Sequence, residues 1–126
     1  MILAIGLDLC TVSRLKAAAS RRPRLLDRLF TDGERAAAGR RQDPWPSLAA
    51  RFAAKEAALK ALGTGWRGGI GWRDVEVTGG AGRPPGLRFH GKALTRAEAL
   101  GARGALVSLT HEGDTAAAVV LLLGEG

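Results

Sequence analysis

The chain has 126 residues, 46% hydrophobic and 25% charged, the size and make-up of one globular domain spanning residues 1–126 rather than of a disordered or fibrous chain. A net charge of +7 calls for an anionic partner: nucleic acid, an acidic protein or a phosphate-rich small molecule. Aromatic residues make up only 5% and tyrosine is absent, which counts against a single-strand nucleic-acid binder and its stacking platforms, and no nucleic-acid motif is found. The apolar run from Ala116 to Leu123 falls far short of the ~20 residues of a membrane span.

The opening MILAIGLDLC lacks a basic leading segment and carries an acid inside its apolar stretch, so it does not read as a signal peptide. Ile2 to Cys10 reads instead as a buried strand. The lone Cys10 fits a reducing cytoplasm and a buried small apolar role better than that of a nucleophile.

Thr11 suits the cap of a short helix to about Ala19, and Pro23 suits the start of another in the basic stretch Arg21 to Leu29. Thr31-Asp32-Gly33-Glu34 has capping-box spacing, opening a helix that ends near Gly39. Arg40 to Pro46 reads as a loop because of its two prolines. Ser47 then caps the strongest helix, Leu48 to Leu62, with Gly63 in the terminating position. Gly63-Thr64-Gly65 and Gly68-Gly69 form a small-residue loop.

Asp74 to Thr78 alternates as a strand. A turn region, Gly79 to Gly86, leads to a short strand from Leu87 to His90, and Lys92 to Leu100 is helical up to Gly101. Ala105 to Thr110 and Thr115 to Leu122 are strands joined by a hairpin connection, His111-Glu112-Gly113-Asp114. This order describes an α+β fold with a largely antiparallel sheet.

Asp8 is a carboxylate in an apolar strand, costly unless paired, hydrogen-bonded or metal-bound. It reads equally well as a hydrogen-bond acceptor for a helix N-terminus. Glu56 and Lys60 share a helix face, the spacing of an ordinary surface ion pair. Around them the helix is unusually small (Ala53, Ala54, Ala57, Ala58, Ala61), so another segment or a ligand can approach closely. Asp8 and Glu56 together suit Mg²⁺, which takes one or two carboxylates plus water and substrate phosphates, and they lack the His/Cys donors of a zinc site. Backbone N–H groups of Gly63-Thr64-Gly65 can cradle phosphate.

At this point the chain resembles a known family. Ile5-Gly6-Leu7-Asp8 and Arg14 resemble its opening motif, and Arg51-Phe52-Ala53-Ala54-Lys55-Glu56-Ala57-Ala58-Leu59-Lys60-Ala61-Leu62-Gly63-Thr64-Gly65 resembles its signature almost position by position. Gly69-Ile70, Trp72, Asp74-Val75-Glu76-Val77 and Ser108-Leu109-Thr110-His111 continue the match in order. The family is that of the holo-[acyl-carrier-protein] synthases, within the 4′-phosphopantetheinyl transferases.

The resemblance implies a sheet packed around a long central helix and a cytoplasmic homotrimer with a site at each subunit junction. It implies transfer of 4′-phosphopantetheine from coenzyme A to a serine of an acidic acyl carrier protein, leaving adenosine 3′,5′-bisphosphate, with neither nucleic acid nor membrane as partner. Asp8 and Glu56 take the positions of ligands for Mg²⁺, with Mn²⁺ as an alternative ion. Lys60 lies near the diphosphate and the attacking serine, beside Gly63, Thr64 and Gly65. Arg40, Arg41, Arg51 and His111 line the coenzyme A site, and Arg14, Arg21 and Arg24 dock the carrier. Glu56 and Glu112 are alternative bases, with His111 orienting or donating a hydrogen bond. Thr11 departs from the family's usual glutamate at that position.

Overall fold

The computed structural model describes every residue except Trp66, Ala81 and Gly126. The elements run β1 (Ile2–Thr11), α1 (Val12–Arg21), α2 (Leu25–Leu29), α3 (Asp32–Gly39), α4 (Trp45–Leu62), β2 (Val75–Gly80), β3 (Arg83–Phe89), α5 (Gly91–Ala99), β4 (Gly104–Glu112) and β5 (Thr115–Leu123). Every strand pairing is antiparallel, in a three-stranded sheet of order β1-β5-β4 and a two-stranded hairpin of β2 and β3. The architecture is α+β, as the order of elements in the sequence implies.

Helix α4 packs on one face of the larger sheet, against β1 and β5. Its alanines permit this. Ala53, Ala54, Ala57, Ala58 and Ala61 are buried, and β1 comes so close at Gly6 that an added Cβ would stand 1.8 Å from the Ala57 carbonyl oxygen. Only glycine fits there.

The other face of the sheet is apolar and uncovered within the chain. Strand alternation and register align Ile5–Leu121–Leu106, Leu7–Val119–Ser108 and Leu9–Ala117–Thr110 as three rows on that face. Ile5, Leu7 and Leu9 are 64%, 60% and 64% exposed and Leu106 is 55% exposed, far above the norm for large apolar side chains. This corrects the reading of Ile2 to Cys10 as a buried strand. β1 edges a sheet that has a helix layer on one face only.

Several boundaries also shift. The prolines do not exclude Trp45 and Pro46 from α4. Pro44 is its N-cap and Pro46 lies in its first turn, where backbone N–H groups have no helical partner to lose. Asp43 Oδ1 accepts the Trp45 N–H at 3.1 Å, so Ser47 lies inside the helix and does not cap it. Gly63 ends α4 in the left-handed conformation, φ 77°.

Thr11 occupies the N-cap of α1 but makes no side-chain cap bond. Asp114, from the β4–β5 turn, replaces it by accepting from the backbone and hydroxyl of Ser13, while its carbonyl accepts from Val12 N at 2.8 Å. The expected capping box of α3 is present, Thr31 and Glu34 exchanging bonds. The Gly79–Gly86 turn is largely strand, since β2 and β3 pair as far as Gly80 and Arg83; Ala81 lies outside the described residues. His111 and Glu112 end β4, leaving Gly113-Asp114 as a two-residue turn with Gly113 at φ 57°.

Candidate active site

The sequence-derived residues fall into three groups. In the first, strand alternation turns Asp8 toward α4, one turn past the close contact at Gly6. There the Lys60 ammonium lies 3.0 Å from Asp8 Oδ1 and donates to the Leu7 carbonyl at 3.0 Å. Lys60 therefore ties the last turns of α4 to β1 and pairs with Asp8 across elements. Glu56 sits one helical turn earlier, half-buried.

The field of both carboxylates is legible at a neighbour. The Cys10 thiol is pushed up to about 11, first by burial and then by the negative charges of Asp8, Glu56 and Asp114. The charges of Asp8 and Glu56 thus both reach Cys10 on β1. No cluster of three or more His, Cys, Asp or Glu side chains forms a metal site among the described residues. Hard carboxylate oxygens such as those of Asp8 and Glu56, with further ligands left to water or substrate, suit Mg²⁺ better than zinc. Cys10 behaves as a small half-buried apolar residue, its proton held too tightly for a nucleophile. The Gly63-Thr64-Gly65 loop leaves the C-terminal end of the same helix.

The second group lines a cavity of about 960 Å³ at the other end of α4. Arg40, Arg41, Arg51 and His111 all border it, and so does Arg83, which sequence reasoning missed. The signal for Arg83 was its place at a glycine-rich hairpin tip, readable only once β2 and β3 are paired through Gly80 and Arg83. Arg51 is only 5% exposed. It donates to the Val77 carbonyl at 2.9 Å and the Gly79 carbonyl at 3.3 Å, so much of its bonding capacity holds the β2–β3 hairpin against α4.

His111 and Glu112, adjacent in β4, point to opposite faces. His111 aligns with Cys10 through Ala116 on the helix side, and Glu112 aligns with Thr11 through Thr115 on the uncovered side. Within one chain they do not serve the same space. His111 stands two strands from β1, about 10 Å sideways, and two residues beyond the Asp8 row, about 7 Å along. None of Asp8, Glu56 and Lys60 lines the arginine cavity.

The third group is the basic surface of α1 and α2. Arg14 is exposed on α1, and Arg21 and Arg24 border, with Arg22 and Arg28, a cavity of about 420 Å³ that no acidic side chain lines.

One pair escaped the sequence reading altogether. The Lys55 ammonium lies 2.8 Å from Glu34 Oε1, and both side chains are fully buried. Lys55 also donates to the carbonyls of Trp72 and Val75 and lies 5.6 Å from the Phe30 ring centre. Glu34 accepts from Val77 N at 2.9 Å. A clue existed: Leu48, Lys55, Leu59 and Leu62 form one stripe at helical spacing, with a cation on an otherwise apolar face.

A carboxylate pair beside a lysine, a glycine loop and an arginine-lined cavity suit an enzyme that handles a phosphate-rich substrate. The chain belongs to the 4′-phosphopantetheinyl transferase superfamily, whose family model matches residues 4–120. It is similar to the holo-[acyl-carrier-protein] synthase of Desulforudis audaxviator (strain MP104C), 48% identical over 125 residues that cover 98% of this chain and 95% of that one. Among solved structures it resembles the holo-[acyl-carrier-protein] synthase of Neisseria meningitidis, with a TM-score of 0.84 and 33% identity over 98% of this chain and 99% of that one. It also resembles the Bacillus anthracis str. Ames holo-(acyl-carrier-protein) synthase in complex with CoA (3′,5′-ADP), with a TM-score of 0.79 and 28% identity over 99% of each chain.

Proposed function

We propose that the chain, acting as one domain of 126 residues, is a Mg²⁺-dependent holo-[acyl-carrier-protein] synthase of the cytoplasm. It moves 4′-phosphopantetheine from coenzyme A to a serine of an apo acyl carrier protein and releases adenosine 3′,5′-bisphosphate. The observation that carries this reading is the Asp8–Lys60 pair at 3.0 Å, with Glu56 one turn away on α4. No helix among the described residues is long and apolar enough to cross a membrane.

Asp8 and Glu56 hold the metal ion. When bound, Mg²⁺ offsets the negative charge of the diphosphate and of the departing bisphosphate. The serine oxygen attacks the phosphorus that bears pantetheine, and the bond from that phosphorus to the bridging oxygen breaks. Lys60 has an ammonium donor beyond the two it gives to Asp8 and Leu7, and it directs that donor at the developing charge. Glu56 takes the serine proton. Glu112 is the less suitable base within a chain because it stands on the other face of β4 from His111. Arg40, Arg41, Arg51 and His111 take the adenosine bisphosphate end of the substrate, and Arg14, Arg21 and Arg24 receive the acidic carrier.

The working unit is a homotrimer. Two observations support it: the uncovered face with Ile5, Leu7, Leu9 and Leu106, and the separation of the arginine cavity from the Asp8–Lys60 pair. In this reading the cavity of one subunit works with the carboxylates of its neighbour.

The test is intact-mass spectrometry of an apo carrier protein incubated with the chain, coenzyme A and Mg²⁺. One added phosphopantetheine mass, lost with EDTA and lost in Asp8→Ala or Glu56→Ala proteins that keep their circular dichroism spectrum, is expected. Unchanged turnover in either variant overturns the site assignment.

A further inference from the structure

Helix α5 carries two cations that the reaction scheme above does not use. Lys92 and Arg96 are four residues apart on one face of the helix. Arg96 Nε donates to the Leu62 carbonyl at 2.9 Å, and its Nη2 lies 3.6 Å from where a Cβ at Gly63 would stand. Lys92 Nζ lies 2.7 Å from the corresponding point at Gly69. The pair therefore reaches Gly63, just past the end of α4, and Gly69.

The Gly63-Thr64-Gly65 loop has an electrostatic problem. Anion-binding glycine loops usually precede a helix, so that N–H groups and the positive end of the dipole face the phosphate. This one follows α4, whose C-terminal end presents carbonyl oxygens and about half a negative charge. A diphosphate beside Gly63, Thr64 and Gly65 meets repulsion from the backbone. Lys60 offsets only part of it, because two of its three ammonium donors serve Asp8 and the Leu7 carbonyl.

The position of Lys92 points the same way. It lies in the first turn of α5, which contains no acidic residue. A cation at a helix N-terminus opposes the dipole and costs the helix stability. Its reach to Gly69 accounts for its place.

We infer that Lys92 and Arg96 form a cationic bracket that offsets the negative C-terminal end of α4 and makes Gly63-Thr64-Gly65 receptive to the coenzyme A diphosphate. The inference rests on the transferase reading above. Arg96 is a positioning residue, acting through the Leu62 carbonyl and Gly63, and Lys92 supplies charge at Gly69.

The experiment uses the full chain with Lys92→Gln, Arg96→Gln and Arg96→Lys, assayed with coenzyme A, dephospho-coenzyme A and carrier protein. Inorganic pyrophosphate serves as a direct binding probe by calorimetry. In both glutamine variants the KM for coenzyme A and the pyrophosphate Kd rise roughly tenfold, the effect of losing one charge-assisted contact. The KM for the carrier stays unchanged, kcat changes less than the KM, and Arg96→Lys retains most of the pyrophosphate affinity. Dephospho-coenzyme A suffers the same fold-change as coenzyme A, since the bracket faces the diphosphate and not the 3′-phosphate.

Unchanged pyrophosphate affinity in Lys92→Gln overturns the bracket. So does a loss in Arg96→Gln that falls equally on coenzyme A and on the carrier protein and comes with a lowered melting temperature. Failure of the unmodified protein to modify any carrier overturns the transferase reading instead, and the pyrophosphate titrations still decide the bracket.

Discussion

The Lys55 ammonium and the Glu34 carboxylate lie 2.8 Å apart with neither side chain reaching water, and together they join α3, α4 and the start of β2. Burial lowers the pKa of Lys55, and Glu34 opposes that shift by its charge and hydrogen bond. Removing one partner leaves the other buried and unpaired. Glu34→Gln or Lys55→Met is expected to cost roughly 3–5 kcal/mol, whereas the double variant recovers part of the loss. Urea titrations of the three variants followed by circular dichroism check this. Additive losses would mean that the two groups are not coupled.

Gly6→Ala places a methyl group against backbone, not against a yielding side chain. β1 has to lift from α4, at a cost of roughly 1–3 kcal/mol or more. Asp8 lies two residues further along the same strand, so its 3.0 Å pairing with Lys60 loosens as well. A lowered melting temperature together with reduced transfer is the expected result, read by differential scanning fluorimetry and the carrier mass assay.

The thiol of Cys10, raised from 9.0 to about 11, holds roughly a hundredfold less thiolate at neutral pH than a free cysteine. Iodoacetamide labelling of the folded protein should therefore be slow at pH 8 and accelerate toward pH 11, as mass spectrometry can follow. Asp8→Asn removes one of the charges responsible and should speed labelling at every pH below that. The sign for stability follows from the same shift. Because the folded-state value is the higher one, the thiol's contribution is complete below pH 9 and is lost as the pH climbs toward 11.

Arg14 stands exposed on α1, on the same chain segment as the arginine-lined cavity of Arg21 and Arg24. Arg14→Glu is expected to raise the KM for the carrier roughly tenfold while leaving that for coenzyme A nearly unchanged. The carrier KM of the unmodified protein should also rise with salt more steeply than that of the variant. Equal effects on both substrates would remove Arg14 from carrier docking.

Leu7→Asp puts a carboxylate in the middle row of the uncovered sheet face without touching the helix side. Sedimentation velocity should report a trimer for the unmodified chain and a smaller, folded species for the variant, with transfer activity lost alongside. A monomeric unmodified chain with full activity would remove the trimer from the mechanism.

Much of this molecule could be read from local pattern. Thr31 and Glu34 form the capping box their spacing implies, Gly63 ends α4, and alternation locates β2. Those features depend on neighbours within a few residues. What the sequence withheld depends on distance. Asp114 caps a helix 101 residues before it, and Glu34 on α3 finds Lys55 on α4. The prolines at 44 and 46 were read as breakers because their effect depends on whether they fall in a helix's first turn or in its body. At the site, Asp8 and Glu56 stood out as carboxylates in apolar or small-residue surroundings. Their family positions rested on resemblance, and the opposite facing of His111 and Glu112 required the β4–β5 register.

From Ile5 onward the two sides of β1 carry unrelated assignments, Ile5, Leu7 and Leu9 outward and Gly6 and Asp8 inward. A slip of one residue against β5 would exchange them completely. It would drive Leu7 or Leu9 into the Ala57 backbone and send the carboxylate of Asp8 out among the apolar rows. The same error would spoil the cation site and the surface that joins subunits. A misfolded copy would thus be barred from assembling with sound ones, and the strand would serve as its own proofreader.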